Sequence, residues 1–197
     1  MLSYNEDAQD LNRPVREHHH QRIAGIIFHR LIAYYCQNQQ YLSLQEALPK
    51  LIRSIPFLLR PYGLATGIFE STCHAIHHAL KNIFSDEKGL WIIDKDHQNR
   101  LAEKAFSSIV SLKKEKNIAH IIVDCAFIDE NNQAWVVDFK LTHSQEMQQF
   151  DIGVEAEKYK QQLLTYKRVL ENYWKRPVRV GLYFPALPFW YEYSLHT

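Results

Sequence analysis

From Val123 to Lys140 the chain reads VDCAFIDENNQAWVVDFK, two apolar runs parted by the turn-forming segment DENNQ. Strand formers on either side of Asp and Asn predict a β-hairpin, and a hairpin this apolar belongs inside a sheet. Along AWVVDFK side chains alternate, so Trp135, Val137 and Phe139 fall on one face and Val136, Asp138 and Lys140 on the other. One face is expected to pack and the other to carry chemistry. If the loop has an odd number of residues, Asp124 of the first run stands opposite Asp138 of the second. Like charges directly opposed destabilise a sheet. Two bare carboxylates about 5 Å apart, at an effective dielectric near 20, repel by roughly 3 kcal/mol. Lys140 offsets part of this, and a divalent cation, which prefers oxygen ligands, offsets more. Spacing alone leaves two readings open, because a strand aspartate is commonly a wetted edge residue and D-x-K is commonly a surface ion pair.

The period of the apolar residues changes along the chain. The first half reads as helical: Val15 to Asn38, with Ile23, Ile27 and Leu31 at helical spacing, then Leu44 to Ser54, then Thr66 to Ile83. Pro56, Pro61 and Gly63 punctuate the connection between the last two. Asp86 to Gly89 reads as a turn, GLWIID as a short extended piece, and Lys95 to Arg100 as a polar segment. AFSSIVSL and HIIVDCAFI predict two strands joined at Lys113 to Asn117, with AWVVDFK the third. A helix follows from about Val154 to Tyr173, stopped before Pro177, and VRVGLYF and FWYEYSL predict two closing strands. The expected fold is α/β, a central mixed sheet flanked by helices with an N-terminal helical elaboration. A chain of 197 residues with 46% hydrophobic content can bury one sizeable core. A single domain is therefore expected over 1–197, with 1–97 mainly helical and 98–197 carrying the sheet and the carboxylates.

Global charge excludes little: 23 Lys and Arg stand against 22 Asp and Glu, so any polyanion-binding signal has to be local. Such a signal runs from Lys158 to Arg179, where Lys158, Lys160, Lys167, Arg168, Lys175, Arg176 and Arg179 face Glu171 alone. A basic helix beside a metal site suits a phosphate backbone, although charged helix faces are usually just solvated. Lys113, Lys114 and Lys116 at a hairpin tip read as solvated residues within reach of DNA. Cys36, Cys73 and Cys125 are odd in number and far apart, which argues against a disulfide framework or a zinc site and fits a reducing cytoplasm. The polar N-terminus is no signal peptide, and the apolar run AGIIFHRLIAYYC is too short and too broken to span a bilayer. No GxxxxGK[ST] phosphate loop occurs, so the chain is not an ATP-driven motor by itself.

Other polar residues sit at suggestive spacing. Tyr159, Gln162 and Tyr166 lie at i, i+3 and i+7 along one stripe of the predicted helix, where core tyrosines with wetted hydroxyls are the commoner case. His29 stands in the apolar run GIIFHRLIAY, where a hydrogen-bonded core histidine is commoner than a ligand. His18 to His20 are contiguous and cannot converge on one ion. His74, His77 and His78 have no carboxylate partner nearby in sequence and read as a solvated helix face.

In order along the chain, G-x-x-x-H-R-L (GIIFHRL, Gly25 to Leu31), the D…D-x-K hairpin and Y-x-x-Q-L-x-x-Y (YKQQLLTY, Tyr159 to Tyr166) resemble the RecB-like nuclease domain of the PD-(D/E)XK superfamily. The likeness is to the nuclease domain at the C-terminal end of UvrD-like helicase-nucleases, and it runs from about His29 to the chain end. It implies a restriction-endonuclease-like core in which Asp124, Asp138 and the main-chain carbonyl of Val137 hold Mg2+, with Mn2+ able to substitute. His29 matches the family's metal-associated histidine. Lys140 would orient the attacking water and stabilise the charged transition state. Gln162 and Tyr166 match the helix motif that steadies the site and contacts DNA. Tyr159, Lys160, Lys167 and Arg168 are the accompanying DNA-contact candidates. Glu103, in AEKAF, matches an acidic position before the first strand, a further candidate ligand. Cys125 stands where arginine commonly follows the first aspartate, and Leu141 where Thr or Ser follows the lysine.

The resemblance implies a metal-dependent DNA nuclease acting in repair or recombination, with a separate helicase or ATPase partner and products bearing a 5′-phosphate. The alternative from another class is a catalytically silent DNA-binding or scaffold subunit of the same fold, motivated by Cys125, Leu141 and the missing motor. A non-nucleic-acid metalloprotein is disfavoured by the basic helix. As a metal ligand His29 would have to be neutral, so Mn2+ affinity is expected to fall as pH drops through about 6.5. Strandedness, endo- or exonuclease action and oligomeric state are left open.

Overall fold

The computed structural model describes residues 13–112, 115–141 and 152–194. Helix α1 (Arg13–Asn38) is followed by α2 (Leu44–Leu59), a 3-10 turn (Arg60–Tyr62), α3 (Thr66–Ile83) and the short α4 (Glu87–Ile92). The sheet comprises β1 (Gln98–Leu112), β2 (Glu115–Ile128), β3 (Ala134–Phe139), β4 (Val178–Phe184) and β5 (Phe189–Tyr193), in that spatial order. Between β3 and β4 lie α5 (Ile152–Glu157) and α6 (Lys160–Trp174). β3 and β4 run parallel and the other neighbours antiparallel, so this is an α/β protein with a five-stranded mixed sheet flanked by helices. No helix among the described residues is long and apolar enough to cross a membrane.

Two apolar layers cover the sheet. Ile23, Ile27, Phe28 and Leu31 of α1 pack with α2 to α4 against Phe127, Trp135, Val137 and Phe139. On the opposite face, Leu163 and Leu170 of α6 pack on Val136, Val180 and Leu182. β3 is therefore buried at every position, which corrects the expectation of one packing face and one chemical face. A central strand paired in parallel on one side has its helical crossover lying over it, and both faces are excluded from water.

Other boundaries also moved. α2 runs on through Pro49 and Pro56 to Leu59, because Ala47, Leu51, Ile55 and Leu59 keep one apolar stripe buried every four residues. The turn falls instead at Gly63, whose φ of 60° is the left-handed conformation that glycine adopts without steric cost. GLWIID is not extended. The Asp86 carboxylate accepts from the Gly89 N–H at 2.9 Å and from the Tyr183 hydroxyl at 3.0 Å, which starts α4 and pins it to β4. β1 begins at Gln98, within the segment read as polar, and its pairing shifts between Gln98 and Leu101. The helix expected over Val154 to Tyr173 is broken at Lys158 and Tyr159. β1 and β2 continue to Leu112 and from Glu115; Lys113 and Lys114 lie outside the described residues.

Candidate metal centre

The hairpin loop spans Asp129 to Gln133, an odd number of residues. Its register pairs Cys125 with Val137 and Ala126 with Val136, so Asp124 falls opposite Asp138 as the sequence predicts. The neighbouring pair of strands extends the line. Ala102 pairs with Cys125 and Lys104 with Val123, which sets Glu103 across from Asp124 on the other side. Glu103, Asp124 and Asp138 thus form a row of carboxylates across β1, β2 and β3. Glu103 adopts φ 49°, a left-handed conformation unfavourable for a residue with a side chain.

Two cations meet this row. α1 brings His29 Nδ1 to 3.1 Å from Asp124 Oδ1 and 3.6 Å from Glu103 Oε1. Lys140 Nζ stands 2.7 Å from Asp138 Oδ2, and its backbone N–H donates to the Tyr183 carbonyl just past the end of β3. Asp124 Oδ2 accepts from the Phe139 N–H at 3.0 Å, which fixes the carboxylate against its neighbour strand. Burial alone would lower the His29 pKa. The hydrogen bond and charge of Asp124, with Glu103 and Asp138 behind it, outweigh burial and push the imidazole up to about 10. Asp138 is held well above the ordinary carboxylate range, first by burial and then by the charge of Asp124, against the opposing pull of Lys140 and His29.

The helix after β3 closes the site from the other layer. Gln162 Nε2 donates to the Tyr166 hydroxyl at 2.6 Å and reaches Asp138 Oδ1 at 3.4 Å. The Tyr159 ring lies against Lys140, with Nζ 4.6 Å from its centroid, and its hydroxyl donates to Glu155 at 3.1 Å. Burial pushes both the Tyr159 and Tyr166 hydroxyls up to about 12, so both are neutral donors near neutral pH. Tyr159 occupies the break between α5 and α6, so the ring reaches Lys140 from the point where the helix is interrupted.

The donor set fits a divalent cation. His29, Glu103 and Asp124 each offer one ligand atom within 4.8 Å of the others. Asp138 stands outside that trio. Its Oδ2 is buried with no hydrogen bond of acceptable geometry, although the Lys140 ammonium is at ion-pair distance, so an oxygen lone pair remains for a further partner. Two to three carboxylate oxygens with one imidazole suit Mg2+ or Mn2+, the imidazole favouring Mn2+. Val137 is fully buried, opposite Cys125 on one side and Gly181 on the other. His29, Glu103, Asp124, Asp138, Lys140, Gln162 and Tyr166 line one cleft of about 1030 Å3, and Tyr159 and Val137 do not.

The basic segment is largely spent on internal pairs. Lys158 pairs with Glu155 and Lys160 with Glu157, while Lys167 is buried and donates to Glu171 at 2.5 Å. Arg176 donates to Asn132 and Arg179 to Glu192. Arg168 is exposed but does not line the cleft. Cys125 is buried facing the front-helix layer, where Arg100 Nη1 lies 3.4 Å from its Sγ; an arginine thus stands beside this position in space. Reading by motif gave no role to Arg30, although it stands within GIIFHRL, and missed Arg22 and His120; all three line the cleft. Arg22 lies two helical turns before His29, a spacing that could have pointed to it. No protein-family model and no curated protein matches this chain.

Proposed function

We propose that the chain is a metal-dependent DNA nuclease module with a core similar to the PD-(D/E)XK type, hydrolysing phosphodiester bonds in DNA repair or recombination beside a separate helicase partner. One observation carries this reading: α1 and three consecutive strands remote from it in sequence bring His29, Glu103, Asp124 and Asp138 to one cleft, with Lys140 at contact distance of the last. Asp124, Asp138 and His29, with Glu103, would hold Mg2+ or Mn2+. Such an ion polarises a bound phosphate and makes a bound water more acidic. Lys140 keeps a positive charge where negative charge develops as the phosphorus is attacked. Tyr159 restricts the ammonium on one side, and Gln162 holds Asp138 in place from the other layer.

Incubation of a labelled DNA oligonucleotide with Mg2+ tests this. Wild type is expected to cleave it, with loss on chelation. Asp124→Asn or Asp138→Ala should lower the rate by at least about 100-fold with an unchanged circular dichroism spectrum, since removing an electrostatic contributor commonly costs that much. A folded wild type that binds DNA and never cuts it, with any of several divalent ions, would assign the chain to the silent DNA-binding class instead.

A further inference from the structure

We infer that the nucleic-acid backbone lies along α1, with phosphates held by Arg22 and Arg30 and the strand seated on Gly25, rather than along the basic helix α6. This rests on the reading of the cleft as a nucleic-acid site. Arg22, Gly25, Ile26, His29 and Arg30 all line the cleft that holds Asp124 and Lys140, as their spacing on one helix face requires. Arg22 and Arg30 therefore bracket the candidate ligand His29, about 12 Å apart along the helix axis.

Charge and placement together decide between the two helices, since Arg168 of α6 is exposed too but does not line the cleft. Arg22 and Arg30 are exposed, and neither guanidinium makes an ion pair or hydrogen bond with any residue whose side chain is described. A guanidinium in that state is available to a phosphate oxygen, which it can engage through two parallel hydrogen bonds. On α6, by contrast, Lys160 is engaged by Glu157 and Lys167 is buried against Glu171. A phosphate arriving there would have to displace a carboxylate from each.

Gly25 supplies an independent observation. A glycine within a helix is unfavourable relative to alanine, so it needs a reason. Packing inside the chain is not that reason: a Cβ built at Gly25 meets nothing within 4 Å. The bare backbone faces the cleft, between one arginine and the histidine, where it lets a strand approach α1 closely.

The test is fluorescence anisotropy of a labelled 20-nucleotide DNA strand, with Ca2+ in place of Mg2+ to limit cleavage, over roughly 50 to 200 mM salt. Arg22→Gln and Arg30→Gln should each weaken binding several-fold and lower the slope of log K against log salt by about 0.7 to 0.9. Lys50→Gln, the same charge change on exposed α2, should leave both unchanged. Gly25→Ala should raise the melting temperature by about 1–4 °C while weakening binding, a combination that a packing glycine would not give. If wild type binds and both arginine variants bind alike with the same slope, the α1 track is overturned while the nuclease reading stands. If Gly25→Ala lowers the melting temperature, its backbone serves packing and the seat on Gly25 is overturned. If wild type fails to bind even at the lowest salt, both readings fall together.

Discussion

His29 is the residue on which folding and chemistry meet most directly. Its sequence setting allowed a core histidine, and its packing shows why: its ring stands edge-on to Phe28 and Phe139. Yet Nδ1 faces Asp124 and Glu103, and those carboxylates hold the imidazole protonated up to about pH 10. The expected titration near 6.5 therefore moves upward in the metal-free protein. Because the folded pKa exceeds the unfolded value, His29 contributes stability that is complete below about 6.5 and is lost as pH rises through about 10. Metal binding has to expel that proton. Mn2+ affinity measured by calorimetry should therefore keep rising with pH from about 7 towards 10, with proton release visible in buffers of different ionisation enthalpy. His29→Ala should flatten that rise. An affinity that levels off above pH 7 in wild type would show that His29 does not exchange its proton for the ion.

At the scale of elements, what was legible in the sequence was what local pattern decides. α3 and β4 occupy the expected residues because helical and strand-like periodicity are unbroken there. The β2–β3 register followed from the parity of its loop. α4 was not legible as a helix, since it depends on Asp86 being fixed by Tyr183 of β4 and on Gly89 packing under Ile83 and Tyr183. The break before α6 was hidden for the same reason: Tyr159 leaves the helix to meet Lys140, a contact made through the fold. Gly181 shows the constraint most sharply. Trp190 of β5 lies over it so closely that a Cβ there would come within 1.8 Å of the indole. Gly181→Ala should destabilise the protein by roughly 1–3 kcal/mol in chemical denaturation and shift the tryptophan emission. Gly67→Ala, at a helical glycine with nothing within 4 Å, should be neutral or stabilising. Equal effects at the two sites would contradict this packing of β4 and β5.

For the whole molecule, the sheet acts as a bench on which two helical layers deliver their parts: α1 brings His29, and α6 brings Gln162 and Tyr166 to the other side of the carboxylate row. The two aspartates and Lys140 were readable because one hairpin carries them. Glu103 could be named only through the family resemblance, and the α1 arginines drew no role, since these residues enter through the pairing of β1 and the docking of α1, which no local pattern encodes. The basic stretch after Lys158 was legible as composition but misleading as a surface, because near neighbours neutralise much of it. The central claim is that this convergence builds a metal centre. Crystals soaked in Mn2+ and measured at its absorption edge test it most directly. An anomalous peak coordinated by Asp124 and His29 is expected, with Glu103 or Asp138 completing the protein ligands, and loss of that peak in Asp124→Asn. A soaked wild-type crystal with no peak in the cleft, or with Mn2+ bound only elsewhere, would contradict it.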